Sequence, residues 1–354
     1  MFSGIYASRR VLVTGHTGFK GSWLCMWLAS LGAQVRGFSL DPDTSPSHWD
    51  LLSLREIDDV RGDLRDPEAV ETAIRDWKPE IVFHLAAQPL VRRSYREPVA
   101  TFDTNVMGLV HVLEAVRKTP SVRVFVNATT DKVYADGQRP TGYVESDPLG
   151  GHDPYSTSKA CAELVTESYR KSFLAPNIHV STARAGNVIG GGDWAEDRLV
   201  PDIVRAVAAN TALDIRNPSA VRPWQHVLEP LSGYLRLGQM LFDGEATSHA
   251  WNFGPSADAN LPVSGLIDGI RQYWPELRLA LSPGPHPHEA ETLRLDCHHA
   301  AEHLGWTPVW DATETIRRTV SWYGAYLANG TVASHGDLGA YALAARERGL
   351  SWAE

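Results

Sequence analysis

The chain of 354 residues is long enough for one large or two modest domains with a substantial core. Its composition, 43% hydrophobic and 21% charged, is that of an ordinary globular protein. The net charge of −9 and the lack of a dense Lys/Arg run argue against a nucleic-acid-binding surface.

The cysteines and the N-terminus indicate the compartment. The three cysteines, Cys25, Cys161 and Cys297, lie far apart and show neither metal-ligand spacing nor a disulfide framework, so we expect no metal site and a reducing compartment. The opening MFSGIYASRR leads directly into an apolar strand-like run and has no signal-peptide pattern. No apolar run is long enough for a membrane helix, and we expect a cytoplasmic protein.

Short apolar runs alternate with longer helical patterns through the first half of the chain. Such alternation, with near-continuous apolar strands, predicts a Rossmann-type α/β fold with a doubly wound parallel sheet. Proline at the predicted start of three helices suits a first helical turn. The strand candidates are Arg10–Thr14, Gln34–Ser39, Ile57–Val60, Glu80–His84, Val122–Ala128 and Asn177–Ala183; the helix candidates are Phe19–Leu31, Pro67–Trp77, Pro98–Arg117 and Pro154–Phe173.

After about Gly190 the pattern changes to loop residues and shorter, mixed elements. We expect an NAD-binding Rossmann domain over residues 1–185 and a smaller α/β substrate-binding lobe over residues 186–354, with some later segments returning to the first domain. Within the lobe, a helix is predicted over Val200–Asn210, a Pro/His-rich loop over 281–291, and helix from Ser334 onward.

A glycine-rich loop joins the first predicted strand to the first predicted helix. The segment VTGHTGFKG places glycines three residues apart, where they permit a tight turn and close backbone approach to a pyrophosphate at a helix N-terminus. A purely structural turn is the alternative, but the strand–loop–helix context favours dinucleotide binding. We expect cofactor contacts from the loop residues Gly15, His16, Gly18, Phe19, Lys20 and Gly21, with positive charge from His16 and Lys20 near a ribose or phosphate.

Further cofactor candidates follow the later strands. Asp63, next to Leu64, follows the third strand, where a carboxylate can accept from an adenine amine. The small residues Ala86 and Ala87, followed by Gln88, let a cofactor cross the strand ends. Asp41 and Asp43 lie slightly beyond the ideal position for a ribose-binding acid, so the choice between NAD and NADP stays open at this point.

Tyr155 and Lys159 lie four residues apart on a predicted helix and therefore share one face. An ammonium beside a phenol favours the phenolate, which is a base able to take a proton from a sugar hydroxyl while hydride leaves the same carbon. A solvated helix face is the alternative reading of this spacing. The preceding glycine loop favours the catalytic one.

The segment ATTDKVYA follows the apolar strand that ends at Ala128. Asp131 and Lys132 at this strand end form either a strand-ending salt bridge or an acid and a base placed around a substrate.

Together these motifs resemble the extended short-chain dehydrogenase/reductase family. The resemblance rests on the glycine triplet, Asp63, HLAAQ, Asn105, the Thr cluster at 129–130 and the Tyr155/Lys159 pair. TTDKVY is similar to the nucleotide-sugar 4,6-dehydratases of that family rather than to its epimerases. Longer stretches resemble the members that act on CDP-glucose: GHTGFKGSWL (15–24), AAQPLVRRSY (86–95), GNVIGGGDWAEDRLVPD (186–202), RPWQHVLEPLSGYL (222–235), HPHEA (286–290) and LGWTP (304–308).

The resemblance implies a mechanism with NAD as cofactor. Tyr155, helped by Lys159, deprotonates the 4-hydroxyl as the C4 hydride passes to NAD, and Thr130 hydrogen-bonds the 4-oxygen. Asp131 matches the acid at the 6-oxygen, and Lys132 occupies the position of the C5 base, where the wider group most often has glutamate. A lysine removes a proton only when neutral. Alternatively Lys132 stays charged, stabilises the enolate, and leaves proton removal to another group.

The resemblance also implies a nucleotide-diphosphate sugar as substrate, CDP-glucose above all. Asn187 and Arg222 match positions that contact the diphosphate, and Arg92, Arg198, His226 and Asn252 are further candidates, although a lone histidine is often a packing residue. Trp194 and Trp224 are candidates for the base pocket. The resemblance further implies a homodimer, formed through the helices Pro98–Arg117 and Pro154–Phe173.

Three alternatives stay open at this stage: a 4,6-dehydratase for a GDP-, dTDP- or UDP-sugar, a nucleotide-sugar 4-epimerase, and a cofactor-binding sensor without catalysis. Asp131 argues against the epimerase, because epimerisation needs no acid at the 6-oxygen. The Thr130, Tyr155 and Lys159 set argues against the sensor.

Overall fold

The computed structural model describes residues 1–135, 137, 139, 141–246, 248–281, 284 and 292–354. The strands in this part are β1 Arg10–Thr14, β2 Gln34–Ser39, β3 Asp58–Arg61, β4 Ile81–His84, β5 Val124–Ala128, β6 His179–Ala185, β7 Val188–Ile189, β8 Ala212–Ile215, β9 Val221–Pro223, β10 Gln225–His226, β11 Ala250–Phe253, β12 Asn260–Pro262 and β13 Arg278–Leu281. Seven of them form one sheet in the order β11-β6-β5-β4-β1-β2-β3, with every neighbouring pair parallel. The strand order reverses direction between β1 and β4, which is the switch point where this fold binds ligands. The predicted doubly wound parallel sheet is confirmed.

The α-helices are α1 Phe19–Ser30, α2 His48–Leu52, α3 Pro67–Trp77, α4 Val91–Arg96, α5 Pro98–Phe102, α6 Gly108–Arg117, α7 Pro154–Tyr169, α8 Leu199–Ala209, α9 Leu228–Phe242, α10 Val263–Arg271, α11 His298–Leu304, α12 Ala312–Asn329 and α13 Ser334–Glu347. A π-helical turn, Asp103–Met107, joins α5 to α6, and a second one, Arg170–Leu174, follows α7. The single helix predicted over Pro98–Arg117 is therefore three consecutive helical segments.

The first six predicted strands match β1–β6 to within two residues at each end. The sixth differs most, because the extended conformation continues to Ala185, directly before Gly186. Helices predicted over Val200–Asn210 and from Ser334 correspond to α8 and α13. The Pro/His-rich segment 281–291, including HPHEA, lies almost entirely outside the described residues.

Alternate side chains of the central strands enter two different cores. On one face, Val11 and Val13 of β1 pack with α1 and α9, including Trp23 and Trp27. On the other face, Leu12 packs with residues of α3, α6 and α7. Both cores consist of fully buried side chains, as period-two strand geometry requires when helices cover both faces. This packing holds the strand ends, and hence the loops that follow them, in fixed positions.

Beyond residue 186 the chain builds a smaller lobe and also returns to the sheet. The lobe contains three two-stranded sheets, β10-β7, β12-β9 and β13-β8, and an apolar core to which α8, α10 and α12 contribute. Strand β11 pairs with β6 in the main sheet, and α9 packs in its first core. No helix in the described ranges is both long and apolar enough to cross a membrane.

Candidate active site

Four loops meet at the carboxyl edge of the sheet. They follow β1, β4, β5 and β6, which are neighbours in the strand order. All four strands are parallel, so their loops leave the sheet on the same side. These loops contain the cofactor candidates Gly15, His16, Gly18, Ala86, Ala87 and Gln88, the catalytic candidates Thr130, Asp131 and Lys132, and the substrate candidate Asn187.

The glycine loop after β1 leaves space that a side chain would fill. Gly15 has a φ of +75°, and a Cβ there would lie 2.7 Å from the backbone of Ala86. A Cβ on Gly21 would lie 2.1 Å from the Gly15 carbonyl oxygen. Gly18 precedes α1 as its N-cap, and no side chain caps the helix. Exposed helix N–H groups beside a backbone without side chains fit the pyrophosphate of a dinucleotide.

His16 and Lys20 occupy different environments in this loop. The His16 ring is fully buried, packs on Trp49 edge-on, and has its Nε2 2.8 Å from an oxygen of Asp59. Burial lowers the pKa of His16, which does not support the positive charge expected there. Burial, and then the neighbouring Arg198, lower the pKa of Lys20 to about 7. Lys20 is thus the residue of the pair that can supply positive charge.

Candidate adenine and ribose contacts lie at the ends of β2 and β3. Both oxygens of Asp63 are paired with the guanidinium of Arg65, whose hydrogen bonds lower the Asp63 pKa. Asp41 and Asp43 have strongly exposed side chains, which are paired with Arg61 and Arg93 respectively. Leu64 follows Asp63 and contacts the first turn of α6 at Gly108.

The loop after β4 is held by Asn105. The Asn105 side-chain oxygen accepts from Gln88 N at 2.7 Å, and its nitrogen donates to the Gln88 carbonyl at 3.1 Å and to Ser158 Oγ at 2.9 Å. Asn105 sits on the π-helical turn between α5 and α6, a feature frequent at functional sites. It thereby fixes the loop containing Ala86, Ala87 and Gln88 to α7.

Tyr155 and Lys159 lie in the first two turns of α7. Asp153 caps the helix by accepting from Ser156 N, and Pro154 occupies its first position. Lys159 Nζ donates to the carbonyl of Ala128 at 2.9 Å, so the ammonium is tied to the end of β5. Burial lowers the pKa of Lys159 to about 8. Burial also raises the pKa of Tyr155 to about 12, while a hydrogen bond with Thr130 acts to lower the Tyr155 pKa. Burial is therefore the largest influence on the Tyr155 pKa, and the cation among the groups that lower it is Arg198.

The segment Asp131–Val133 forms a short 3-10 turn directly after β5, capped by Thr130. The Thr130 hydroxyl donates to Asp131 Oδ1 at 3.0 Å, and Lys132 Nζ donates to the same oxygen at 3.2 Å. Asp131 is buried, and its Oδ2 has no hydrogen-bond partner. A salt bridge at the strand end is thus present, yet it leaves one buried carboxylate oxygen available to a ligand.

The groups on these loops act on one another electrostatically. Lys20 is influenced by Arg198, Asp131, Lys159 and Lys132, and Tyr155 by Asp131 and Arg198. The glycine loop, the turn after β5, the start of α7 and the lobe therefore contribute charges to one site. A half-buried phenol, a buried carboxylate and several cations that act on one another form a set suited to proton transfer and anion stabilisation.

The substrate-binding candidates fall into two groups, the first of which comprises Asn187, Arg222, Arg92 and Arg198. The Asn187 side-chain oxygen is buried and has no hydrogen-bond partner. Arg222 is buried in β9. Arg92 and Arg198 are paired with Asp197 and Asp193 at 2.7 and 3.0 Å.

The second group is enclosed by protein. The Asn252 amide accepts from the Tyr134 hydroxyl and donates to the carbonyls of Tyr143 and Asp296. His226 is fully buried among Trp23 and Trp310, and its Nε2 has no partner. The hydrogen bonds of the Asn252 side chain therefore all go to other protein groups. The His226 ring is enclosed by the tryptophans packed against it.

The two tryptophans considered for the base pocket both pack in the apolar core of the lobe. Trp224 is buried and donates to the Leu261 carbonyl, and Trp194 packs against Trp322, Tyr323 and Tyr326.

Sequence reasoning missed a buried ion pair behind the catalytic candidates. Glu163 of α7 and Arg184 of β6 lie 2.8 Å apart, and both side chains are 4% exposed. Glu163 follows Lys159 by four residues and Tyr155 by eight, so helical spacing alone places it on their face. Nothing local in the sequence indicates Arg184, because its partner lies on a different element.

Comparisons with known proteins agree with this geometry. The model of the NAD dependent epimerase/dehydratase family matches residues 11–254. The CDP-glucose 4,6-dehydratase of Salmonella typhimurium is 48% identical over 331 residues, covering 91% of this chain and 92% of that protein. The dTDP-glucose 4,6-dehydratase of Xanthomonas campestris pv. campestris is 27% identical over 337 residues, covering 88% and 92%.

A solved structure shows the same fold. The UDP-glucose 4-epimerase of Thermus thermophilus, a complex with NAD, superimposes with a TM-score of 0.78 at 26% identity and covers 89% of this chain and 99% of its own. The resemblance stated from the motifs is confirmed, as is NAD as the cofactor. The glycine cradle, the Tyr155/Lys159 helix and a family match over most of the chain lead to one conclusion: this protein belongs to the NAD dependent epimerase/dehydratase family.

Proposed function

We propose that this protein is a 4,6-dehydratase that converts CDP-glucose to CDP-4-keto-6-deoxyglucose. The observation that carries the proposal is the Asp131–Lys132 pair on the turn after β5, beside Tyr155 and Lys159. With NAD as the hydride acceptor, oxidation at C4 needs the tyrosine and lysine for proton removal, whereas loss of water across C5 and C6 also needs an acid at the 6-oxygen and a base at C5. The 48% identity to a CDP-glucose 4,6-dehydratase supports both the reaction and the nucleotide.

NAD, when bound, accepts hydride from C4 of the sugar and returns hydride to C6. In the first step Tyr155 takes the proton of the 4-hydroxyl, and Thr130 hydrogen-bonds the same oxygen. Lys159 stabilises the developing phenolate with its charge. Its hydrogen bond to Ala128 keeps the ammonium at a fixed place relative to the turn after β5.

Elimination follows because a 4-keto group acidifies the proton on C5. Lys132 takes that proton or stabilises the enolate electrostatically, and Asp131 donates a proton to the departing 6-hydroxyl. Burial of the carboxylate, with one oxygen lacking a partner, suits a group that exchanges a proton directly with substrate. Return of hydride to C6 together with return of a proton to C5 would complete the 4-keto-6-deoxy product.

We infer that the diphosphate is bound on the lobe side of the cleft by Asn187 and Arg222. Arg198 and Arg92 are placed to contribute positive charge. A guanidinium fork suits paired phosphate oxygens. Arg198 is influenced electrostatically by Tyr155, which supports placing its charge near the reacting end of the substrate.

The test is incubation of the purified protein with NAD and, separately, CDP-, dTDP-, UDP- and GDP-glucose. We expect the mass of one water to be lost from the CDP-sugar, with a 4-keto product. Water loss from another sugar nucleotide alone would reassign the nucleotide. Inversion at C4 without water loss from any of the four would replace the dehydratase by an epimerase.

We further propose that the protein forms a homodimer and works in the cytoplasm. Helices α5 and α7 pack side by side, and these helices with the π-helical turns that follow them expose apolar side chains: Val99 at 82%, Met107 at 46%, Leu164 at 60% and Phe173 at 55%. Apolar side chains grouped on neighbouring helices are typical of a surface that a partner covers. The three unpaired cysteines are consistent with a reducing compartment.

A further inference from the structure

The catalytic turn after β5 is tied at both ends to the buried Glu163–Arg184 ion pair. Before the turn, the Thr129 hydroxyl donates to Glu163 Oε1 at 2.5 Å. After it, Arg184 Nη1 donates to the hydroxyl of Tyr134 at 2.9 Å. We propose that this ion pair and its two anchors, Thr129 and Tyr134, are positioning residues for elimination. This inference rests on the proposed dehydratase function.

The Glu163 carboxylate accepts four hydrogen bonds from side chains. It accepts from Arg184 Nε at 3.0 Å and Nη2 at 2.8 Å, and from the hydroxyls of Thr129 and Thr182. A buried ion pair contributes little net stability, since desolvation offsets the attraction, but it fixes geometry when its hydrogen bonds are satisfied. The pair therefore acts as a rigid reference point between α7 and β6.

The Tyr134 side of the turn is equally constrained. Its hydroxyl donates to Asn252 Oδ1 at 2.6 Å while accepting from Arg184. Arg184 Nη1 also donates to the carbonyl of Glu145 at 2.9 Å. Strand β11, which contains Asn252, thus contributes to holding the end of the catalytic turn. This gives the enclosed Asn252 a role that does not require contact with substrate.

The anchoring affects the two halves of the reaction differently. Tyr155 and Lys159 belong to α7, so their positions relative to one another do not depend on the turn. Asp131 and Lys132 belong to the turn itself, and Thr130, which contacts the 4-oxygen, caps the turn. Loosening Thr129 therefore displaces Asp131 and Lys132 from Tyr155 and Lys159, and it affects oxidation only through the one hydrogen bond from Thr130. A displacement of about 1 Å costs up to about a hundredfold in rate.

Two threonines provide a matched pair for the test. Thr129 and Thr182 are both buried and donate to the same carboxylate, but only Thr129 adjoins the turn. The Thr129→Val and Thr182→Val variants each lose one hydroxyl at nearly constant volume. Thr129→Ser restores the donor.

Oxidation is measured alone with CDP-6-deoxyglucose, which lacks the 6-hydroxyl and so stops at the 4-ketone with NADH formed. Complete turnover is measured with CDP-glucose. For Thr129→Val we expect water loss to fall about tenfold or more with NADH formation within about threefold of wild type. For Thr182→Val and Thr129→Ser we expect both rates within about threefold of wild type.

The outcomes separate the two proposals. If wild type does not eliminate water from CDP-glucose, the proposed function fails regardless of the variants. If wild type does, equal effects of Thr129→Val and Thr182→Val on elimination would overturn the positioning role. A Thr129→Val protein that loses oxidation and elimination in parallel would overturn it as well, since that is the result of general destabilisation.

Discussion

Asp131 and Lys132 share one hydrogen bond, yet the chemistry assigns them different steps. Lys132 Nζ and the Thr130 hydroxyl both donate to Oδ1 of Asp131, which leaves Oδ2 for a ligand. If the pair only ended the strand, both buried carboxylate oxygens of Asp131 would be expected to have hydrogen-bond partners. The pair is therefore better explained by an acid held in place by its neighbours than by strand termination.

Replacing the acid separates proton removal from water loss. In Asp131→Asn, the amide cannot donate a proton as a carboxylic acid does, so we expect water loss to slow by about a hundredfold or more. Exchange of the C5 proton with deuterated solvent, followed by NMR or mass spectrometry, is expected to continue. Tyr155→Phe is the matched control, because it blocks C4 oxidation and hence abolishes exchange as well. Turnover of Asp131→Asn at the wild-type rate would remove this residue from the mechanism.

The placement of a residue was predictable where it depends on the neighbouring sequence. It was not predictable where it depends on contacts between segments that are distant in the chain. Tyr155 and Lys159 were predicted to lie on one helix, and α7 contains both in its first two turns. Asn105 was singled out by resemblance, but its hydrogen bonds to Gln88 and Ser158 depend on three segments meeting. His16 was predicted to place positive charge near a ribose or phosphate, yet its ring packs beneath Gly37, where a Cβ would lie 2.2 Å from it.

At the scale of elements, the cofactor site depends on one close approach between two loops. The loop after β1 meets the loop after β4 at Gly15 and Ala86, and only a glycine fits at this distance and at a φ of +75°. The sequence predicted this element well, since the glycines, strand and helix are contiguous. It predicted the helical connection from Pro98 to Arg117 less well, because a π-helical turn leaves no clear trace in apolar periodicity.

We expect Gly15→Ala to weaken NAD binding by at least about tenfold. A methyl group there meets the Ala86 backbone and adds left-handed strain of about 1–2 kcal/mol, so the two loops must separate. The measurement is NAD titration by calorimetry. Gly324→Ala on α12 is the control, because its Cβ would meet no heavy atom within 4 Å and alanine favours the helix. Equal NAD affinity in both variants would contradict the proposed pyrophosphate cradle.

At the scale of the molecule, the order of segments in the chain does not match their order in space. The lobe begins near residue 186, but β11 pairs with β6 and α9 covers the sheet. A four-residue strand such as β11 has too little periodicity to reveal its partner. The pairing of β11 with β6 depends instead on how its side chains pack on both faces of the sheet.

The proposed dimer predicts that one exposed leucine is covered in solution. Leu164 on α7 is 60% exposed in the single chain, and Leu343 on α13 is 55% exposed on a different surface. We expect Leu164→Glu to shift the protein from dimer to monomer in light scattering, because a carboxylate would be buried in an apolar interface. Leu343→Glu is expected to leave the mass unchanged. A wild-type monomer, or loss of association in both variants, would contradict a dimer through α5 and α7.

Glu229 connects parts of the molecule that are far apart in the chain. It is fully buried in α9 and accepts from the backbone N–H groups of Val309 and Trp310 and from the hydroxyl of Tyr341. Burial raises its pKa from 4.5 to about 7, against the effect of these hydrogen bonds. At a pH between 4.5 and about 7, Glu229 is protonated in the folded protein and ionised in the unfolded chain, so protonation stabilises the fold in this pH range. This stabilisation is fully present below pH 4.5 and lost as the pH rises through about 7.

We therefore expect the free energy of unfolding of wild type, relative to Glu229→Gln, to fall as the pH is raised from 5 to 8. The glutamine is neutral throughout, and a pKa change from 4.5 to about 7 corresponds to about 3 kcal/mol. Denaturant unfolding at several pH values measures the difference. Other buried groups, such as Asp337 with its pKa raised by burial to about 6, titrate in both proteins and cancel. Parallel stability curves for the two proteins would show that Glu229 is ionised in the fold at all these pH values, with its three donors outweighing the cost of burial.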